Sequence, residues 1–287
     1  MNPARVVAIV PHRERELAYA LARSTAAWLT ARAIEVRVPE SLAADVGLEQ
    51  YATPDSKLGR DLDLAVSIGG DGTILATVQL LYPAPAPIVG VNVGQLGYLS
   101  ELEPGELEGF LPRLVAGDFA VSKRMVVEIE VASEGPTRGT WYGLNEAVIE
   151  KRRGGHLIYL DVSINGSAFT TYAADGVIIA TPTGSTAYTF SVRGPIVSPA
   201  LRSLVLTPIS PHTLFDRSLV LATDEQLEFL VCSGRPAELT IDGREIGALN
   251  PGDRVQCRAA AEPLRLASLH PRDFHQILKT KFALPDR

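Results

Sequence analysis

The spacing of apolar and polar residues changes part-way along this chain. Over roughly the first 118 residues, short aliphatic runs alternate with segments whose apolar positions recur at helical intervals. Residues 4–10, 34–38, 62–68 and 88–93 read as buried strands. Residues 14–33 repeat Leu17, Leu21 and Trp28 at helical spacing. Strands alternating with helices predict a parallel sheet flanked by helices. After Gly117-Asp118 the period becomes two, in MVVEIEV, TWYGLNEAVIE, HLIYLDVSING, ADGVIIATP, EQLEFLVC, AELTID and DRVQCRA. Turn signals, among them Asn165-Gly166, Asp242-Gly243 and the Asn250 to Asp253 turn, separate these runs. Many short strands at regular spacing predict a second, all-β domain. The expected division is therefore α/β over residues 1–118 and β-rich over 119–269. A final helical stretch at 270–287 is expected to pack back on the first domain.

Composition narrows the class. The 287 residues are 46% hydrophobic and 21% charged, enough for two substantial cores. A net charge of −6 without a long basic run argues against nucleic-acid binding. No run approaches the ~18 apolar residues of a membrane span, and the N-terminus lacks a signal-peptide layout. The expectation is a soluble, cytoplasmic protein with no membrane partner. Cys232 and Cys257 lack CxxC spacing and read as reduced core thiols.

The chemistry concentrates in two places. In LDLAVSIGGDGTIL, residues 62–75, an aliphatic strand breaks into Gly69-Gly70-Asp71-Gly72-Thr73 and a helix follows. Glycines let a ligand approach the main chain, and amides at a helix start suit phosphate. The amides of Gly70, Gly72 and Thr73 are candidates to hold it. A carboxylate amid such a cradle suggests a proton acceptor or a partner for a cation; the plainer alternative is Asp71 as a helix N-cap. A second glycine turn, residues 94–99, would leave the same sheet edge, with Tyr98 lining a pocket or merely packing. Arg13 and Arg15 either reach phosphates or are solvated charges.

The other place lies in the β-rich half. ADGVIIATPTGSTAY, residues 174–188, carries Asp175 into an aliphatic strand and then a hydroxyl-rich loop. Thr183, Ser185 and Thr186 offer short hydroxyls, and Tyr188 offers a flat ring for a purine. Asn145-Glu146 interrupts an apolar stretch, either as a strand edge or bulge or with one of the two, since neighbours in a strand project to opposite faces, pointing inward. Arg152, Arg153 and His156 make a basic loop, either solvated or the cationic wall of a phosphate site.

Together these residues resemble the NAD kinase family. The resemblance covers nearly the whole chain: GGDGT at residues 69–73, GQLGYL at 94–99, Asn145-Glu146, DG…TPTGSTAY at 175–188, and Asp242-Gly243. The family often has Phe where Tyr98 stands, and bacterial members commonly have glutamine where Arg244 stands. The GGDG turn alone is shared with diacylglycerol kinases, sphingosine kinases and phosphofructokinases; the GSTAY loop narrows the choice. The resemblance implies a Rossmann-like α/β domain, a β-sandwich-like second domain and a site between them. It implies phosphorylation of NAD at the 2′-hydroxyl of the adenosine ribose, from ATP or inorganic polyphosphate with Mg²⁺ or another divalent cation. Asp71 matches the proton acceptor. Gly72, Asn145, Glu146, Asp175, Thr183, Thr186, Ala187, Tyr188 and Ser191 match nucleotide-binding positions, with His156 and Arg244 as looser carry-overs. No residue is assigned to metal. A homodimer or homotetramer is implied. The rivals are a lipid kinase sharing the GGDG turn and a nucleotide sensor that binds NAD(P) without chemistry.

Overall fold

The computed structural model describes residues 3–94, 97–152, 156–232, 234–270 and 273–284. They form two compact units, one of residues 1–123 with 264–287 and the other of residues 124–263.

The first unit is built on a seven-stranded sheet. Its central strands are Val6–Pro11, Glu35–Pro39, Leu64–Gly69 and Ile88–Asn92, all parallel. Leu64–Gly69 is buried along its whole length, as a strand covered on both faces must be. The chain moves from Val6–Pro11 outward to Glu35–Pro39, then returns to place Leu64–Gly69 on the other side of the first strand. Strand order therefore reverses between Val6–Pro11 and Leu64–Gly69, and open α/β sheets bind ligands beyond such a point. The GGDGT turn leaves the sheet there.

Helix Glu16–Thr30 forms where expected but buries a different face. Its buried positions are Ala18, Ala22, Thr25, Ala26 and Leu29, while Leu17 is exposed and Leu21 and Trp28 pack at the margin. Small alanines bring the helix close to the sheet, so the larger side chains flank the contact. Helix Asp71–Leu81 buries Ile74, Val78 and Leu81, and the Thr77 hydroxyl reaches that of Ser67 at 2.9 Å.

The strand Leu264–Ser268, whose alternation resembles that of the β-rich half, lies in the first unit's sheet instead, with Leu266 opposite Ile88. Period-two spacing reports a strand but not the sheet it joins. The last helix, Phe274–Lys281, starts at Asp273, whose carboxylate accepts the His275 amide at 2.8 Å.

The second unit holds two six-stranded sheets whose facing side chains share one core. Phe229, Tyr172, Ile129 and Leu160 from one sheet meet Ile149, Ile179, Leu206 and Leu239 from the other. Asn165-Gly166 and Asp242-Gly243 take positive φ at both residues, as the tightest hairpin turns require. The TWYGLNEAVIE run is two strands, Gly139–Gly143 and Glu146–Lys151, broken at Leu144-Asn145. Strands Ser167–Ala174 and Leu204–Ile209 add to the expected set. Cys257 is a buried thiol, but Cys232 is exposed on the way out of Leu227–Val231, so only one cysteine belongs to the core.

Candidate active site

Asp71 is the first residue of its helix, and Gly70 is the N-cap with no side-chain capping bond. The N-cap reading of Asp71 is thus corrected. Its carboxylate turns to the second glycine turn and accepts three consecutive amides: Tyr98 at 2.6 Å on Oδ2, and Leu99 at 3.0 Å and Ser100 at 3.4 Å on Oδ1. A carboxylate has about four acceptor positions, so roughly one stays open on Oδ2. Gly97 is fixed by this grip: a Cβ there would fall 2.0 Å from Asp71 Oδ1. The two glycine turns thus join through one side chain.

Gly72 is exposed, and a Cβ at Gly70 or Gly72 would meet no atom within 4 Å, so a ligand can approach both closely. The Thr73 amide is engaged, donating to Gly70 O at 2.9 Å, and is withdrawn from the phosphate-binding set. Arg15 donates its guanidinium to Val93 O and braces the start of the second turn. Of that turn, Gln95 and Leu96 lie outside the described residues.

In the second unit a parallel arrangement holds Asn145-Glu146. The Asp242 carboxylate, at the hairpin turn, accepts the amides of Leu144 at 2.8 Å, Asn145 at 2.7 Å and Glu146 at 3.0 Å. Asn145 O in turn accepts the Thr181 amide at 2.9 Å, and a Cβ on Gly184 would lie 2.1 Å from the same oxygen. The NE pair and the TPTGSTAY loop therefore pack backbone to backbone. Glu146 is buried, and Tyr188 donates its amide to the carboxylate. Its Oε2 has no partner among the described residues. Burial first, then the nearby Asp242 charge, pushes the Glu146 carboxyl up to about 8. At neutral pH it is largely a neutral acid, able to donate a hydrogen bond as well as accept one.

The loop hydroxyls divide by task. Ser185 is buried, reaches Pro182 O and Val197 O, and accepts the Val197 amide, so it braces the loop rather than facing a ligand. Thr183 is buried; Thr186 is half-buried, with its hydroxyl 3.3 Å from Thr183 O. Ala187 donates its amide to Gly184 O at 2.9 Å. Tyr188 and Ser191 begin and end a one-turn helix with exposed side chains. Burial, then the charges of Glu150 and Asp175, raise the Tyr188 hydroxyl pKa.

Asp175 is bound by Lys151, whose ammonium donates to its Oδ1, and Lys151 N donates to Asp175 O at 2.9 Å. The spacing of residues in the sequence does not single out Lys151, because its partner lies 24 residues on. His156 is not brought to the loop by any observed contact. It lines a cavity of about 760 Å³ with Lys151, Arg152, Arg235, Glu238 and Glu245. Arg153 lies outside the described residues. Arg244 is exposed just past the Asp242-Gly243 turn, and the residue of that turn with a visible task is Asp242 itself.

Residues 7–119 match the ATP-NAD kinase N-terminal domain and residues 144–269 the ATP-NAD kinase C-terminal domain. The chain is 38% identical over 276 residues to the NAD kinase of Heliobacterium modesticaldum, covering 96% of this chain and 97% of that protein. It belongs to the NAD kinase family. NAD kinase 2 of Streptomyces coelicolor is 38% identical over 291 residues, 99% of this chain and 96% of its own. Two solved structures share the fold. Yeast NADH kinase complexed with NADH superimposes with a TM-score of 0.90 at 24% identity, covering 100% of this chain and 90% of that one. An NAD kinase from Archaeoglobus fulgidus in complex with ATP gives 0.74 at 24% identity, covering 98% and 99%. The two glycine turns fall inside the matched N-terminal domain and the hydroxyl-rich loop inside the matched C-terminal domain.

Proposed function

We propose that this chain phosphorylates NAD at the 2′-hydroxyl of the adenosine ribose to give NADP, with Asp71 as proton acceptor. The observation that carries the reading is the Asp71 carboxylate, aimed by three amides where strand order reverses, in a chain of the NAD kinase family. Phosphoryl transfer asks little covalent chemistry of a protein. It needs the nucleophile aligned with phosphorus, phosphate charge offset, and a place for the hydroxyl proton. Aspartate is a weak base for an alcohol, so the oxygen begins bonding phosphorus before the proton leaves it. The Gly72 amide takes part in holding donor phosphate.

Asn145, Glu146, Asp175, Thr183, Thr186, Ala187, Tyr188 and Ser191 hold the dinucleotide. The support is local: the Asp242 grip, the Tyr188 amide on Glu146 and the Lys151 contact on Asp175 pre-set these groups before any ligand arrives. His156 and Arg244 are assigned to the dinucleotide phosphates. Of the two solved structures named above, one is complexed with NADH and the other with ATP, which supports a nicotinamide dinucleotide and ATP as the two substrates. Magnesium enters with the donor, as MgATP. Among the described residues no three His, Cys, Asp or Glu side chains gather into a cation site. We assign the protein to the cytoplasm as a homodimer or homotetramer. Among the described residues, no helix is long and apolar enough to cross a membrane.

The deciding experiment incubates the purified chain with NAD or NADH and either MgATP or polyphosphate, reading NADP(H) through a dehydrogenase specific for it. NADP formation is expected. No NADP from either donor, or phosphorylation of diacylglycerol or sphingosine instead, would overturn the reading.

A further inference from the structure

The C-terminal part of the first unit touches the turn that holds Asp71 at both of its ends. At one end, Glu101 Oε1 accepts the Leu269 amide at 2.8 Å, the His270 amide at 2.9 Å and the Ser268 hydroxyl at 3.2 Å. At the other, the Lys281 ammonium stands 4.3 Å from the centre of the Tyr98 ring. Between these two holds lie the amides of Tyr98, Leu99 and Ser100, the three that grip Asp71. The segment is itself anchored. Strand Leu264–Ser268 lies in the parallel sheet, and the His270 ring meets Phe110 edge to face at 5.2 Å.

Helix Phe274–Lys281 sharpens the point, because none of its described residues is buried. Its apolar side chains, Phe274, Ile277 and Leu278, are only half-buried, so the helix also contributes through what its polar side chains reach, and its last residue reaches Tyr98.

We propose that this segment is a strap that positions Asp71. Glu101 and Lys281 fix the two ends of the 98–100 turn, and through its amides they fix the direction of the carboxylate. Lys281 is a positioning residue, separated from the chemistry by the Tyr98 backbone. The proposal rests on the reading of Asp71 as proton acceptor.

The test uses the full chain and four variants: Lys281→Ala, Lys281→Arg, Asp71→Asn, and Lys281→Ala combined with Asp71→Asn. A cation over a half-buried ring is a modest contact, so Lys281→Ala should lower kcat about two- to fivefold with the KM for NAD and for ATP unchanged. Lys281→Arg should recover most of that loss, since a guanidinium also stacks on an aromatic face. In the Asp71→Asn background Lys281→Ala should cost nothing further, because its effect passes through the missing carboxylate. A wild-type kcat in Lys281→Ala overturns the strap, as does a raised KM for ATP, which would mark a direct phosphate contact. An equal fractional loss in both backgrounds overturns it too. A crippled Asp71→Asn beside a fully active Lys281→Ala rejects the strap alone, whereas full turnover in Asp71→Asn rejects the base assignment and the strap with it.

Discussion

Replacing Glu146 by glutamine should change how the stability of this protein depends on pH. Glu146 is 5% exposed, with one oxygen unpartnered among the described residues and the Asp242 charge nearby. Its carboxyl is raised from 4.5 to about 8, so the folded chain holds a proton that the unfolded chain releases near 4.5. Stability from this group is therefore fully present below pH 4.5, falls as pH rises toward 8, and levels off above it. At about 1.36 kcal/mol per tenfold change in proton affinity, the whole rise corresponds to roughly 5 kcal/mol. Water entering as the carboxylate ionises lowers that, so about 2–4 kcal/mol is expected. Glutamine keeps the shape and never ionises. Urea denaturation of both proteins at steps from pH 4.5 to 9 isolates the group, since the other titrating side chains cancel in the difference. The variant should gain on the wild type by about 2–4 kcal/mol across the range. Parallel curves would refute the reasoning.

Three further outcomes follow from the same geometry. Asp71→Asn should cut kcat by roughly 10² to 10⁴ with NAD affinity nearly unchanged, measured by steady-state kinetics alongside calorimetry. Gly97→Ala places a Cβ 2.0 Å from Asp71 Oδ1 and must displace the carboxylate. It should lower kcat at least about tenfold while costing about 1–3 kcal/mol of stability; a fully active variant would show that the grip is dispensable. Lys151→Met removes the cation on Asp175 and should raise the KM for NAD roughly three- to tenfold with kcat held; an unchanged KM would detach this pair from the dinucleotide.

Much of the architecture could be read from the residues because it is locally encoded. The aliphatic run into GGDGT gave a strand, turn and helix, and the Asn-Gly and Asp-Gly pairs gave hairpins with the positive φ they require. What escaped was long-range. The helix face chosen by Ala18, Ala22 and Ala26 depends on how closely the sheet is approached, and hydrophobicity alone favours Leu17. The amides on Asp71 come from 27 to 29 residues away, and those on Asp242 from 96 to 98 residues away. No spacing rule reaches that far. Ser185 looked like its loop neighbours, yet its environment gave it a structural task.

Asp71 and Asp242 each take hold of three successive main-chain N–H groups. Every amino acid but proline carries that group, so the hydrogen bonds themselves ask only for a main-chain N–H at residues 98–100 and 144–146, and side chains there act by placing the turn. The reach of the aspartate is what the grip depends on, and a glutamate, one methylene longer, would overshoot. Proline scanning through those two triplets, more than alanine scanning, would reveal how the two anchors work.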